Sequence, residues 1–163
     1  MKFVQFRVKS VPTDVAQQMS KGDKVFAWGV HGGGHIAATR RGIISTDTHQ
    51  PLFLPWEHLL SATWSDPLLT VTAHTDSAVD TYSWLMSDAQ SVPHVVRDRV
   101  SSIVVVDRIH TFSPGGQVRF IGRRSKDVIE WLSLPDDVEW AATSAGSRAI
   151  QAELEQLRQA LGV

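Results

Sequence analysis

Histidine is the residue type here that most readily carries chemistry, and the chain has seven of them. His31 and His35 flank three glycines, Gly32-Gly33-Gly34, and are expected to face each other across the end of a hairpin. Imidazole is the commonest protein ligand for zinc, but a zinc site takes three or four protein ligands. No third histidine or carboxylate lies near this pair in sequence, and no His-Glu-x-x-His occurs. The expectation is a solvent-exposed hairpin tip and no metal.

Other reaction machinery is equally hard to find. A serine nucleophile on a strained elbow would carry Gly-x-Ser-x-Gly, which is absent, and Ser113-Pro114-Gly115-Gly116 reads as a hairpin turn. The triple glycine lacks the Gly-Lys-Ser/Thr ending of a phosphate loop. There is no cysteine, which excludes thiol nucleophiles and zinc-cysteine sites. Carboxylates are scattered through turns and helix surfaces with no pair marked out. No catalytic residue and no cofactor is assigned, and the balance leans away from an enzyme.

Basic residues offer a second chemistry. Arg40-Arg41 and Arg123-Arg124-Ser125-Lys126 fall at strand ends, and Arg119 shares a strand face with Arg123. Guanidinium groups at such ends would hold phosphates of an anionic lipid or a phosphorylated ligand. Nucleic acid is not expected, because the pI is about 6.6 and no stacking aromatics interleave with the arginines. The net charge of −1 hides an asymmetry. Arg97 to Lys126 is rich in basic residues and Asp127 onward is rich in acids, so the two segments could pair within a monomer or across a dimer. Of six tryptophans, Trp140 lies in an acidic, helix-like stretch, Asp136 to Ala142, and is the one nearest to exposure: it either pins this turn to the sheet or, if exposed, anchors a partner.

The elements that must position these residues are mostly strands. Pro12 to Gly22 reads as a short helix in an N-terminal extension (residues 1–22), with Thr13 as N-cap and Gly22 as left-handed stop. Lys24–His31 and His35–Arg40 form a hairpin whose glycine turn is expected to use positive φ. Ile43–Thr46, Leu52–Trp64 with a bend or an edge at Pro55, Leu68–His74 and Val79–Met86 follow, separated by turn signals. Ser91–Val100, with Pro93 in its first turn and Val92, Val96 and Val100 on one face, reads as an inserted helix. Strands at Ile103–Phe112, Gln117–Ser125 and Val128–Leu134 complete the β content. The C-terminal helix, 143–162, carries Ile150, Leu154, Leu157 and Leu161 in one narrow stripe that could lie on a sheet or pair with its own copy. One domain, 1–163, is expected: an α+β chain that is mainly β, a sandwich or partly open barrel of about six to eight antiparallel strands. Met1 to Arg7 has no apolar stretch long enough for a signal peptide, and Ile103–Val106 is far too short to span a bilayer, so a cytoplasmic location is expected.

Val25-Phe26-Ala27-Trp28, Ala38-Thr39-Arg40-Arg41-Gly42-Ile43, Leu54-Pro55-Trp56-Glu57-His58-Leu59 and Thr63-Trp64-Ser65-Asp66 resemble the start of a bacterial pleckstrin-homology-like domain. Arg97-Asp98-Arg99-Val100-Ser101-Ser102-Ile103-Val104 and the tail Leu154 to Gly162 are similar to segments of an uncharacterised family of conserved actinobacterial proteins. The resemblance implies a β-sandwich closed by a helix and brings no catalytic residues. The inserted helix departs from the pleckstrin-homology order, and the first hairpin turn lacks the basic lipid-binding signature.

Three functions follow. The first is a non-catalytic module that binds a protein partner or itself through the C-terminal helix and the arginine-bearing strand ends. The second is peripheral binding of anionic lipid or a phosphorylated ligand through Arg40, Arg41, Arg123, Arg124 and Lys126. The third, a small-molecule pocket in the barrel or an enzyme, would be marked by a buried polar cluster.

Overall fold

Alternation of side chains builds the first hairpin. In β1 (Val25–His31), Ala27, Gly29 and His31 turn inward while their neighbours stay partly open to solvent. β2 (Gly34–Thr39) is buried from Ile36 onward and β3 (Gly42–Ser45) along its whole length, as strands covered on both faces must be. The computed structural model describes residues 10–47, 50–75 and 78–162. The chain groups into two compact units, residues 1–100 and 101–163.

In the first unit, α1 (Thr13–Gln18) precedes β1, and β4 (Leu52–Pro55), β5 (Leu59–Ser65), β6 (Leu68–His74) and β7 (Val79–Asp88) follow β3. The seven strands form one antiparallel sheet in the order β4-β3-β2-β1-β7-β6-β5. The end strands β4 and β5 do not pair with each other, so the sheet is not a closed barrel. Pro55 ends edge strand β4, where its missing N–H costs no ladder bond, and a single 3₁₀ turn, Trp56–His58, leads to β5. The junction of β1 with β7 is narrow, limited to Val30 opposite Asp88 and His31 opposite Met86. Gly29 permits this approach, since a Cβ there would sit 2.5 Å from the Asp88 carbonyl oxygen. α2 (Val92–Ile103) follows β7 directly and buries Val92, Val96 and Val100 as the spacing predicted. Arg99 of α2 lies 4.8 Å over the ring of Phe26.

The second unit is a meander, β8 (Val104–Phe112), β9 (Gly116–Ser125) and β10 (Val128–Pro135), paired β10-β9-β8. α3 (Val138–Ala142) and α4 (Ser144–Leu161) complete it. Ile150, Leu154 and Leu157 of α4 pack on Val118 and Phe120 of β9 to make the core of this unit. Thr143 caps α4 by accepting the Gly146 N–H, and Gly162 stops it with φ of 70°.

Several expectations need correction. Ten strands replace the six to eight expected, in one sheet of seven and one of three, because the strands after α2 form a sheet of their own. Pro12, not Thr13, is the N-cap of α1, and Gly22 sits past the helix end, which is capped at Met19. Among the described residues no helix is long and apolar enough to cross a membrane.

Candidate functional site

The hairpin register decides what the two histidines touch. His31 pairs with Gly34 and His35 with Val30. The rings therefore project from opposite faces instead of meeting across the tip. His35 turns to α1, where its Nδ1 lies 2.8 Å from Asp14 Oδ2. Thr46 accepts the His35 backbone N–H at 2.9 Å and donates to Asp14. Burial would raise the Asp14 carboxyl, but hydrogen bonds from Thr46 and His35 outweigh it and hold the group below its ordinary value.

His31 turns inward and is 8% exposed, so it does not share the solvation expected of the hairpin tip, where Gly32 is exposed. Its Nδ1 accepts the Gly33 N–H at 3.3 Å, which leaves the ring proton on Nε2. Nε2 lies 3.3 Å from the hydroxyl of Ser45 on β3. Ser45 Oγ also accepts the indole N–H of Trp84 on β7 at 2.9 Å. Ser45 is 3% exposed and Trp84 7%, so a buried polar cluster joins β1, β3 and β7. Both lone pairs of the hydroxyl are occupied, and no acceptor among the described residues takes its proton. A serine nucleophile needs an imidazole that accepts. Here the imidazole donates, so the pair is not arranged for acyl transfer.

Gly34 holds this arrangement close. A Cβ on it would lie 1.9 Å from the Thr46 carbonyl oxygen. The turn glycines do not use positive φ, contrary to expectation; Gly34 is needed for space.

Ser45 opens onto a cavity of about 370 Å³ lined also by Asp47, Gln50, Tyr82, Ser83 and Trp84. The Tyr82 and Trp84 rings run nearly parallel, 16° apart with centroids at 6.3 Å. Met86 donates its N–H to Pro67, so Trp84 and Tyr82 occupy the hydrogen-bonded sites opposite β6. The main-chain groups of Thr81 and Ser83 therefore point away from β6, into the side of β7 that β1 leaves uncovered beyond Met86. Two hollows in the second unit are lined by polar groups that are exposed or half-exposed, Asp107 and Arg108 in one, Asp127, Glu155 and Arg158 in the other. Among the described residues no three His, Asp or Glu side chains converge as a metal site would require.

Compared with family models, curated proteins and solved structures, the chain matches none.

The residues singled out in the sequence are divided between the two units. Arg40 and Arg41 lie in the first unit, Arg119, Arg123, Arg124 and Lys126 in the second. Arg40 donates to the Gly22 carbonyl at 2.9 Å, while Arg41 donates to Ser20 and lies 5.7 Å over Phe53. Arg119 forms a two-point pair with Asp107 at 2.8 and 2.6 Å. That hydrogen bonding raises its already high pKa. Arg123 lies 3.7 Å from Glu130. Arg124 and Lys126 are exposed, Lys126 in the β9–β10 turn with φ of 55°. Trp140, read either as an exposed anchor or as pinning its turn to the sheet, does the latter: it packs against Phe112 with centroids 5.2 Å apart and against the core of the second unit. Ile150, Leu154 and Leu157 are buried in that core and Leu161 is exposed.

Sequence reading missed Asp14, Ser45, Thr46, Asp47, Tyr82 and Trp84 as a group. Their only local signal was the polar ending of an apolar strand, Ile43-Ile44-Ser45-Thr46.

Proposed function

We propose that the first unit is a non-catalytic recognition domain that binds a small polar ligand in the cavity beside Ser45. The carrying observation is the polarity of the His31–Ser45–Trp84 cluster. A buried hydroxyl with both lone pairs filled and its proton unspent, at the wall of a cavity, is a preformed donor for a ligand. Small-molecule sites usually combine an apolar wall with a few placed polar groups, and Tyr82 and Trp84 beside Ser45, Asp47 and Gln50 have that composition.

The rival readings have less support. The apolar stripe of α4 and Trp140, the surfaces assigned to a protein partner or a second copy, are largely used inside the second unit. Arg119 is matched by Asp107, and Arg40 and Arg41 are engaged by Gly22, Ser20 and Phe53, which weakens a phosphate-reading surface. Seven antiparallel strands followed at once by α2 support a pleckstrin-homology-like identity for the first unit, with α2 as its closing helix.

Ligand-observed saturation-transfer NMR on a mixture of soluble metabolites tests the proposal, with Tyr82→Ala as the pocket control. Hits lost in the variant are expected. Labelling of Ser45 by a fluorophosphonate, or hits indifferent to Tyr82→Ala, would count against it.

A further inference from the structure

The second unit keeps one long strand edge open. β8 is the end strand of its sheet, and among the described residues no strand pairs with its outer side. The ladder shows which groups that side presents. Asp136 donates its N–H to the Gln117 carbonyl at 2.9 Å. Gln117, Arg119 and Ile121 therefore bond to β10, while Val118, Phe120 and Gly122 bond to His110, Arg108 and Val106 of β8. The main-chain groups of Asp107, Ile109 and Thr111 point outward. From Val106 to Phe112 the register is unshifted, with no glycine or proline to blunt the edge. Other end strands are blunted: β4 has four residues and ends in Pro55, β5 is bulged between Leu59 and Ser61, and β10 ends in Pro135. β8 also exposes apolar surface, with Ile109 62% and Val105 37% accessible.

We propose that β8 pairs antiparallel with β8 of a second copy of this chain, about a two-fold axis at Ile109. An axis normal to the sheet sets one residue opposite itself. Ile109 is the midpoint of the regular stretch, so this register overlaps all of it. Registers centred on Asp107 or Arg108 would set like charges opposite each other. With Ile109 central, the two isoleucines meet and Asp107 stands opposite Thr111 of the second copy. That hydroxyl can donate to the carboxylate, whose charge Arg119 already balances. Arg108 stands opposite His110 of the second copy, the ring that lies 3.2 Å from Glu153, so a cation approaches a carboxylate. Phe112 of the second copy comes beside Val106, at the hollow of about 370 Å³ lined also by Val105, Leu157, Ala160 and Leu161. The overlap is roughly 23 Å long, less contact than the interfaces of about 1,200 Å² and more that hold stable complexes. The dimer is therefore weak and concentration-dependent.

The test is sedimentation equilibrium of the full chain from micromolar to millimolar concentration, where the mass is expected to rise from monomer toward dimer. Ile109→Lys sets two ammonium groups opposite each other and is expected to hold the mass at monomer. Its thermal melt should match that of wild type, because the side chain is exposed. The chain has no cysteine, so single cysteines read the register. In Ile109→Cys the paired Cα atoms lie about 5.5 Å apart, within disulfide reach, and mild oxidation is expected to link two copies. In Thr111→Cys the two thiols stand more than about 12 Å apart along the strands, and no link is expected. A monomeric mass up to millimolar concentration, or a dimer that Ile109→Lys leaves intact, would overturn the proposal. Linking of Thr111→Cys as readily as Ile109→Cys would overturn it too.

Discussion

Ser45 Oγ accepts the indole N–H of Trp84 at 2.9 Å, a buried bond between the end of β3 and β7 that spans 39 residues of chain. The same oxygen lies 3.3 Å from His31 Nε2, so one hydroxyl satisfies two buried donors from two strands.

Ser45→Ala leaves both donors without an acceptor. A buried orphaned donor costs about 1–3 kcal/mol, so a loss of roughly 2–4 kcal/mol in urea denaturation is expected. A change below about 0.5 kcal/mol, the size of an ordinary surface substitution, would show that the cluster does not hold the strands together.

The glycine turn gives a paired comparison. A Cβ at Gly34 would lie 1.9 Å from the backbone oxygen of Thr46, which cannot rotate aside, whereas a Cβ at Gly32 meets nothing within 4 Å. Gly34→Ala is expected to cost about 2 kcal/mol or more, as overpacking against backbone does. Gly32→Ala should change stability by less than about 0.5 kcal/mol. Thermal melts of the two variants side by side check the contrast.

Local pattern made the elements legible and left the site hidden. Val92, Val96 and Val100 marked α2, and Ile150, Leu154 and Leu157 marked the buried face of α4. Turn residues separated the strands nearly where they break. What local pattern lacks is register: whether His31 and His35 share a face depends on whether His31 pairs with Gly34 or with His35, a one-residue difference. The contact of Ser45 with Trp84 depends on β7 joining β1 rather than an earlier neighbour, which no local signal records. Trp140 is ambiguous in sequence for a related reason. Its acidic surroundings, Asp136, Asp137 and Glu139, are exposed, while the indole itself turns to Phe112.

Asp14 should make the seating of α1 sensitive to acid. Its carboxyl is held below the ordinary 3.8. The stability it lends is therefore full above the unfolded value and lost as pH falls through the lower folded value. Wild type is expected to lose more stability than Asp14→Asn as pH falls below about 4. Denaturation midpoints between pH 3 and 6 decide; parallel profiles throughout would contradict the Thr46–Asp14–His35 link.

Leu154→Ala probes the second unit. Its side chain is 6% exposed and packs in the core with Val118 and Phe120. A loss of about 2–5 kcal/mol is expected, with the solution mass by light scattering unchanged. A fall in mass without loss of stability would instead place the α4 stripe at an interface between copies.

Which nitrogen of His31 carries the proton decides whether Ser45 can donate to a ligand, and long-range ¹H–¹⁵N NMR of the imidazole reads this directly. A neutral ring protonated at Nε2 is the expected result. It leaves the Ser45 proton free for a ligand and the serine unactivated. A ring protonated at Nδ1 would contradict the account, because Ser45 would then donate to Nε2, the cavity would lose its donor, and a nucleophilic serine would return to consideration.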